Sequence, residues 1–305
     1  MKHLSILMVI ISVVGMTTNG HASPSCSDWP NERFFSEASA EDVRVCLSAG
    51  MSHGSRDGNG RTALHWAAAV SNDPWVIVEL LTSGANPELT DLDGKRPIHV
   101  AAGESQHPAI LFYLIIWGSN VEAEVSGEGG RCPWSTRRCA LVPLHLAAAR
   151  PDGADYIAIL LAAGANVDAR DEEGRTPLHH AASASPDSKS IRILLRAGAS
   201  VNQANKEGQS PLHMAARQCE SASAIIPLLL DSGASPDHGD QDRSTPLMWA
   251  ARLACSSDVM KMLVDASRQP CAVDRRGRTV LQQWQQNPNL TQDDTYWLLH
   301  EECKQ

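Results

Sequence analysis

Short apolar stretches of helical length alternate with polar turns along this chain, most regularly between residues 171 and 205. The pair Thr176–Pro177 predicts a helix start, because threonine is a favoured N-cap and proline loses no hydrogen bond in the first helical turn. Ala181–Ala182 would keep that helix thin, so that a neighbour can pack closely. The apolar positions within 191–195 predict a second helix. It ends at Gly198, since glycine adopts the left-handed conformation without a Cβ penalty.

The same two-helix unit recurs along the chain. Its first landmark, Gly-Arg-Thr-Pro-Leu-His at Gly174–His179, returns in similar form at Gly60–His65, Gly94–His99 and Gly208–His213. Its second landmark, Gly-Ala-Asn or a near copy, begins at Gly84, Gly118, Gly164, Gly198 and Gly233, with spacings of 34, 46, 34 and 35 residues. A period of this length, with one supersecondary unit per copy, is typical of a solenoid.

On these residues the sequence resembles the ankyrin repeat family, whose pattern is D-x-x-G-x-T-P-L-H-x-A-A followed by L-L-x-x-G-A-x. The resemblance covers residues 57 to about 280 in six to seven copies and implies an all-α solenoid of helix-turn-helix repeats joined by β-hairpin loops. It further implies that one histidine per repeat bridges neighbouring hairpins, namely His65, His99, His145, His179 and His213. The histidines outside this motif, His107, His180 and His238, are assigned to the surface.

The landmarks divide the chain into a signal peptide, two caps and an array. The predicted order is a signal peptide 1–22, an N-terminal capping repeat 23–56, an array 57–273 and a C-terminal capping repeat 274–305. The array contains repeats 57–90, 91–124, 125–170, 171–204, 205–239 and 240–273, the third with an insertion at its hairpin. Aromatic residues at helical spacing are assigned to the core, and these are Trp75, Phe112, Tyr113 and Trp117.

The first 22 residues predict export. Lys2 precedes an apolar run from Leu4 to Met16, and Gly20-His21-Ala22 places small residues at both cleavage-determining positions. A run of this length is too short for a spanning helix, which needs about 20 residues. We therefore expect an exported protein, bacterial and periplasmic, with secretion as the alternative and with no membrane insertion after cleavage.

The charge of the chain bears on its partners. The formal net charge is −9, and removal of residues 1–22 leaves 25 basic and 35 acidic residues, or −10. An acidic surface repels a phosphate backbone, so nucleic acid is not expected as a partner. Another protein, basic in character, fits better, and we expect the chain itself to be monomeric.

All eight cysteines lie after the predicted cleavage site, and an even number in an exported chain favours disulfides. The repeat register suggests four pairs: Cys26–Cys46, Cys132–Cys139, Cys219–Cys255 and Cys271–Cys303. A zinc site is the alternative for any cluster, although the chain contains no Cys-x-x-Cys motif.

The third repeat carries about twelve extra residues at its hairpin, from about residue 127 to Cys139. A disulfide across this short loop would reduce the entropy of the unfolded chain and so stabilise the fold by about 2.5 kcal/mol in the chain-entropy model. It would present Trp134 with Arg131, Arg137 and Arg138 at the tip, and tryptophan and arginine are enriched in binding hot spots. A tolerated surface insertion is the alternative.

No catalytic motif is present, and no phosphate loop, zinc-protease motif or dinucleotide fingerprint indicates a cofactor. The ankyrin resemblance implies a non-enzymatic module whose concave face, made of hairpin tips and first helices, grips a protein. On that face we expect Trp66, Arg150, Arg217, Trp249 and Arg252 from the helices, and Glu172, Glu173, Lys206 and Gln241 from the hairpins. The partner would be sequestered, inhibited or scaffolded, as by an immunity or inhibitor protein. The alternative is an oxidative-stress protein using Cys132 and Cys139 as a reversible pair.

Overall fold

The computed structural model describes residues 24–125, 140–184, 188–218, 221–253 and 256–304. These ranges contain a 3₁₀ turn at Cys26–Asp28, sixteen α-helices and no β-strand. The helices are α1 Glu32–Glu37, α2 Ala40–Ser48, α3 Ala63–Val70, α4 Trp75–Thr82, α5 Pro97–Glu104, α6 Pro108–Ile116, α7 Pro143–Ala148, α8 Ala154–Ala162, α9 Pro177–Ala184, α10 Ser188–Arg196, α11 Pro211–Ala216, α12 Ala222–Asp231, α13 Pro246–Leu253, α14 Ser257–Ala266, α15 Val280–Gln285 and α16 Asp294–Glu302.

The sixteen helices form eight consecutive pairs, which confirms the predicted all-α solenoid. The odd-numbered first helices pack against one another in one row and the even-numbered second helices in another. From α3 onward, the two helices of each pair also pack against each other. The thin helix surface expected from alanine is present, because Ala181 and Ala182 are completely buried. The apolar residue after each helix-starting position is also buried, as at Leu64, Ile98 and Leu178. The core is therefore one continuous band between the two rows.

The loops before the first helices are hairpin turns rather than two-stranded ladders. Only isolated bridges are seen in the described ranges, between Arg56 and Thr62 and between Val273 and Thr279. Each turn is closed by its first side chain. Asp57 is representative, since its Oδ1 accepts hydrogen bonds from the backbone N–H groups of Asn59 and Arg61, both at 2.8 Å.

Successive hairpin turns are joined through their backbones. The N–H of Leu92 donates to the carbonyl of Asn59 at 2.9 Å, and the N–H of Lys206 donates to the carbonyl of Glu173 at 2.8 Å. The same bond joins Gln241 to Glu207 at 2.9 Å and Arg275 to Asp242 at 2.8 Å. The turns therefore form a row beside the first helices. We call the hairpin turns and the exposed positions of the first helices the hairpin face.

The two ends of the solenoid carry the described cysteines. Cys26 and Cys46 lie at bonding distance with Cα atoms 5.4 Å apart, and Cys271 and Cys303 do so with Cα atoms 5.3 Å apart. These are two of the four predicted pairs. The other four cysteines, Cys132, Cys139, Cys219 and Cys255, lie outside the described residues. Within the described ranges, no helix has the length and apolar character needed to cross a bilayer.

Candidate interaction face

The motif histidines are part of the architecture. Each has its Nε2 within hydrogen-bond distance of a backbone carbonyl in the next hairpin region. His65 meets Lys95 at 3.0 Å, His99 meets Ala123 at 2.7 Å and His179 meets Gln209 at 3.0 Å. His145 and His213 make the equivalent bonds to the carbonyls of Arg175 and Ser244. The bridging role implied by the family resemblance is confirmed.

The other ring nitrogen fixes the tautomer. The backbone N–H of Thr176 donates to Nδ1 of His179 at 3.1 Å, and Thr62 does the same to His65. Nδ1 must therefore be an acceptor, which leaves the hydrogen on Nε2, where it can donate to the carbonyl. Each neutral imidazole thus caps its own helix and holds the next repeat.

Burial keeps these rings neutral. It lowers the pKa of His99, His179 and His213 to about 4 and that of His145 to about 3, and it lowers the pKa of His65 as well. The hydrogen bonds to backbone carbonyls oppose this shift without cancelling it. A charged imidazole would lose the Nδ1 acceptor and its solvation together. These rings are therefore unsuited to exchange protons with a substrate near neutral pH.

A second hydrogen bond, from an aromatic ring to the hairpin aspartate, recurs in some of the repeats. Nine residues after the hairpin aspartate, a ring N–H approaches the aspartate's remaining oxygen. Trp66 donates to Asp57 Oδ2 at 3.1 Å, and Trp249 donates to Asp240 Oδ2 at 2.9 Å. In the fourth array repeat, Nε2 of His180 lies 2.9 Å from Oδ2 of Asp171.

The surface assignment of His180 is wrong, because its side chain is only 12% exposed and pairs with Asp171. Burial raises the pKa of Asp171, but the hydrogen bond from His180 and the charge of Arg175 outweigh it, and the result is about 2. Sequence reasoning missed this pair. The nine-residue spacing shared with Trp66 and Trp249 was the signal that could have shown it.

Two of the helix residues predicted to bind a partner are largely inaccessible. Trp249 and Arg150 are each 8% exposed. The guanidinium of Arg150 makes two bonds to Asp152, at 2.8 and 2.7 Å, and lies 4.2 Å from the ring centre of Tyr156. Trp66 is partly buried under Arg61. These side chains shape the hairpin face more than they extend from it.

The other predicted residues are more open. Arg217 and Arg252 are exposed, as are Lys206 and Gln241 on the hairpin turns. The remaining hairpin residues are partly exposed and paired: Glu173 with Arg175 at 3.2 Å and Glu172 with Lys206 at 4.0 Å. The insertion residues Arg131, Trp134, Arg137 and Arg138 lie outside the described residues.

The assignment of the aromatic residues to the core is wrong for three of the four. Trp75 is 45% exposed, Phe112 48% and Trp117 39%, and Ile116 beside them is 44% exposed. Only Tyr113 packs partly into the core. Helical spacing could not distinguish the buried side of these second helices from the outer side, because both sides are apolar. An exposed apolar cluster therefore covers α4 and α6 on the side away from the first helices.

No candidate metal site is found in the described part of the chain. It contains no group of three or more histidine, cysteine, aspartate or glutamate side chains placed to hold a metal ion. A surface depression lies between two hairpins, at Asn59, Arg61, Asp91, Leu92 and Asp93. Two of its charged groups are engaged in the fold, since Arg61 pairs with Glu104 at 3.2 Å and with Asp91 at 3.7 Å.

Comparisons with known proteins agree with this architecture. The family model described as "Ankyrin repeats (3 copies)" matches residues 36–125 and 144–240, more than half of the chain. The crystal structure of the human ASB11 ankyrin repeat domain is similar, with a TM-score of 0.66 and 24% sequence identity over 78% of this chain and 97% of that domain. At this identity the likeness shows the fold. A search of curated proteins finds no match. The chain belongs to the ankyrin repeat family, and its repeats form a protein–protein interaction module.

Proposed function

We propose that this protein binds another protein of the periplasm or cell exterior through its hairpin face and thereby sequesters, inhibits or scaffolds it. The observation that carries this proposal is that some side chains of this face are bonded within the fold while others are free to contact a partner. The motif histidines and the hairpin aspartates make hydrogen bonds within the fold. In contrast, the side chains of Leu92, Lys206, Arg217 and Arg252 are exposed. A rigid row of turns presenting solvated side chains suits recognition of an extended surface.

Export is part of the same proposal. The apolar run and small residues before Ser23 support it, and so do the cysteine pairs at both ends of the solenoid. Disulfides persist in oxidising compartments and are rare in the cytosol. N-terminal sequencing of the protein recovered from a periplasmic fraction should give Ser23 as the first residue. Recovery of the full-length chain from the cytosol would contradict export.

Site-specific photo-crosslinking tests the binding face. A photoreactive residue would replace Leu92, Lys206, Arg217 or Arg252 in separate variants, with Arg192 and Lys261 on the second helices as matched controls. All six positions are exposed. We expect one protein, the same from several hairpin-face positions, to be crosslinked in native extract and to be missing from the controls. Crosslinking from the second-helix positions alone, or from none, would exclude the hairpin face.

The alternative redox function rests on Cys132 and Cys139, which lie outside the described residues. The cysteine pairs that are described lie at the two ends of the solenoid, where a structural role explains them, and no described feature favours a redox role. We therefore propose binding alone.

A further inference from the structure

We infer that the partner presents an acidic segment, which binds a cluster of five arginines near the C-terminal end of the hairpin face. This arginine patch consists of Arg217, Arg243, Arg252, Arg275 and Arg276, all exposed. The inference rests on the proposed function, because it concerns the same face, and it adds the chemical character of the partner.

Three of the five arginines stand on adjacent hairpin turns. Arg243 belongs to one turn, and Arg275 and Arg276 belong to the next. The N–H of Arg275 donates to the carbonyl of Asp242 at 2.8 Å, which holds the two turns side by side. The backbone therefore fixes where these three side chains start, and the side chains reach into solvent.

The other two arginines occupy equivalent positions in neighbouring repeats. Each lies six residues after the proline that starts its helix, Arg217 at the end of α11 and Arg252 in the last turn of α13, and these two helices pack together. Arg252 is three residues after Trp249, whose indole points to the hairpin aspartate, and its guanidinium lies 5.5 Å from that ring centre. Residues three apart share a helix face, so both arginines look toward the hairpin side.

Three arginines on the hairpins of the preceding repeats differ, because each has an acidic partner within the protein. Arg61 pairs with Glu104 at 3.2 Å, Arg96 with Glu88 at 3.1 Å and Arg175 with Asp171 at 2.9 Å. For the arginine patch, no ion pair is found within the described residues. Its guanidinium groups remain free to bind carboxylates in the two-pronged geometry that arginine favours.

An acidic protein segment fits this patch better than a nucleic acid. The exposed carboxylates of Glu207 and Asp242 beside the patch would repel a long phosphate backbone that runs beyond it. A short carboxylate-rich segment needs only the three adjacent repeats. Net charge alone predicts a basic partner, but contact is decided by the charges at the exposed site, since surface interactions are screened beyond about 10 Å.

Fluorescence anisotropy on the purified protein tests the inference with three labelled probes at low salt: dodecaglutamate, dodecalysine and a thymidine dodecanucleotide. The test variant is Arg217→Glu with Arg252→Glu. The matched control is Arg192→Glu with Arg196→Glu, which makes the same charge change on the exposed side of α10. We expect dodecaglutamate to bind best, with Kd raised about tenfold or more in the test variant, equivalent to about 1.4 kcal/mol, and less than about twofold in the control.

Equal losses in the two variants, tighter binding of dodecalysine, or no binding of dodecaglutamate would overturn the inference. Tighter, arginine-dependent binding of the oligonucleotide would overturn it in favour of a nucleic acid. Loss of helical circular dichroism in the test variant is not expected, and Arg217→Gln with Arg252→Gln provides a second, milder variant. A hairpin-face crosslink that survives both arginine variants would leave the proposed function standing while the acidic segment fails.

Discussion

The interior of the solenoid and its two ends are held by different means. Interior repeats are joined by a buried histidine that donates to the next hairpin region, as from His179 to Gln209. In the last array repeat that position is Met248. There Cys271 lies at bonding distance from Cys303 at the end of α16. The N-terminal cap likewise lacks the motif histidine and contains Cys26–Cys46. The last array repeat still has a hairpin beside it, since the Arg275 N–H donates to the Asp242 carbonyl. What this repeat lacks is the ring N–H donor, and a cysteine pair at bonding distance lies near this end instead.

The largest expected effect comes from the C-terminal pair. Replacing Cys271 and Cys303 together by serine should lower the free energy of unfolding of the C-terminal region by about 3.7 kcal/mol, from the chain-entropy model for a separation of 32 residues. Guanidinium unfolding of the double variant, monitored through Trp284 fluorescence, measures this loss.

The N-terminal pair is the matched comparison. Its separation of 20 residues gives a smaller expected loss of about 3.3 kcal/mol for the corresponding double serine variant. That loss should appear in hydrogen exchange of α1 and α2 and leave α15 and α16 unchanged. If either variant matched the parent protein, the ends would not depend on their cysteines.

Removing one interior histidine bridge should lower the free energy of unfolding almost as much as removing a cysteine pair. His179→Met copies the arrangement found in the last array repeat. It leaves the Thr176 N–H without an acceptor and removes one of the two donors to the Gln209 carbonyl, which keeps the Asn205 N–H. Since an unsatisfied buried group costs about 1–3 kcal/mol, we expect a loss of about 3 kcal/mol by urea unfolding. Met248→Leu is the control and should cost less than about 1.5 kcal/mol. Equal costs would mean that packing, not the bridge, secures the interior.

Acid should weaken the interior more than the ends. The folded pKa of His99, His179 and His213 is about 4, below the ordinary value of about 6.5. The unfolded chain therefore binds protons more tightly. The stability contributed by the neutral rings is complete above about pH 6.5 and is lost as the pH falls toward about 4. Each ring contributes up to about 1.4 kcal/mol per pH unit within this window.

The measurement is the pH dependence of urea unfolding between about pH 7 and pH 5. His179→Met should reduce the slope by up to one proton, whatever its effect on stability at neutral pH. The carboxylate of Asp171 does not confuse the result, because its pKa is about 2 and its contribution is lost only at lower pH. An unchanged slope in the variant would show that His179 is not held neutral by the fold.

The sequence predicted the repeating elements well, because their signals are local. The pair Thr176–Pro177 marks a helix start and Gly198 an end, whatever the surroundings. Exposure depends on what packs beyond the helix, which a helical spacing does not reveal, and so Phe112 was placed in the core although it is exposed. The pairing of His180 was missed for a related reason, since it arises when a turn folds back over its own helix.

The smallest expected effect concerns the indole bonds in the first and last array repeats. Trp66→Phe and Trp249→Phe keep an aromatic ring but remove the N–H donated to Asp57 and Asp240. Each should lower the free energy of unfolding by about 1 kcal/mol, the usual net value of one hydrogen bond. Trp75→Phe is the matched control, because that indole is 45% exposed and its truncation should stay within about 0.5 kcal/mol. Local hydrogen exchange should rise in the hairpins that begin at Asp57 and Asp240 but not at Asp91. If all three variants lost the same free energy of unfolding, the indole bonds to the hairpin aspartates would add nothing to stability. The repeats beside the caps would then rely on the same bonds as the interior.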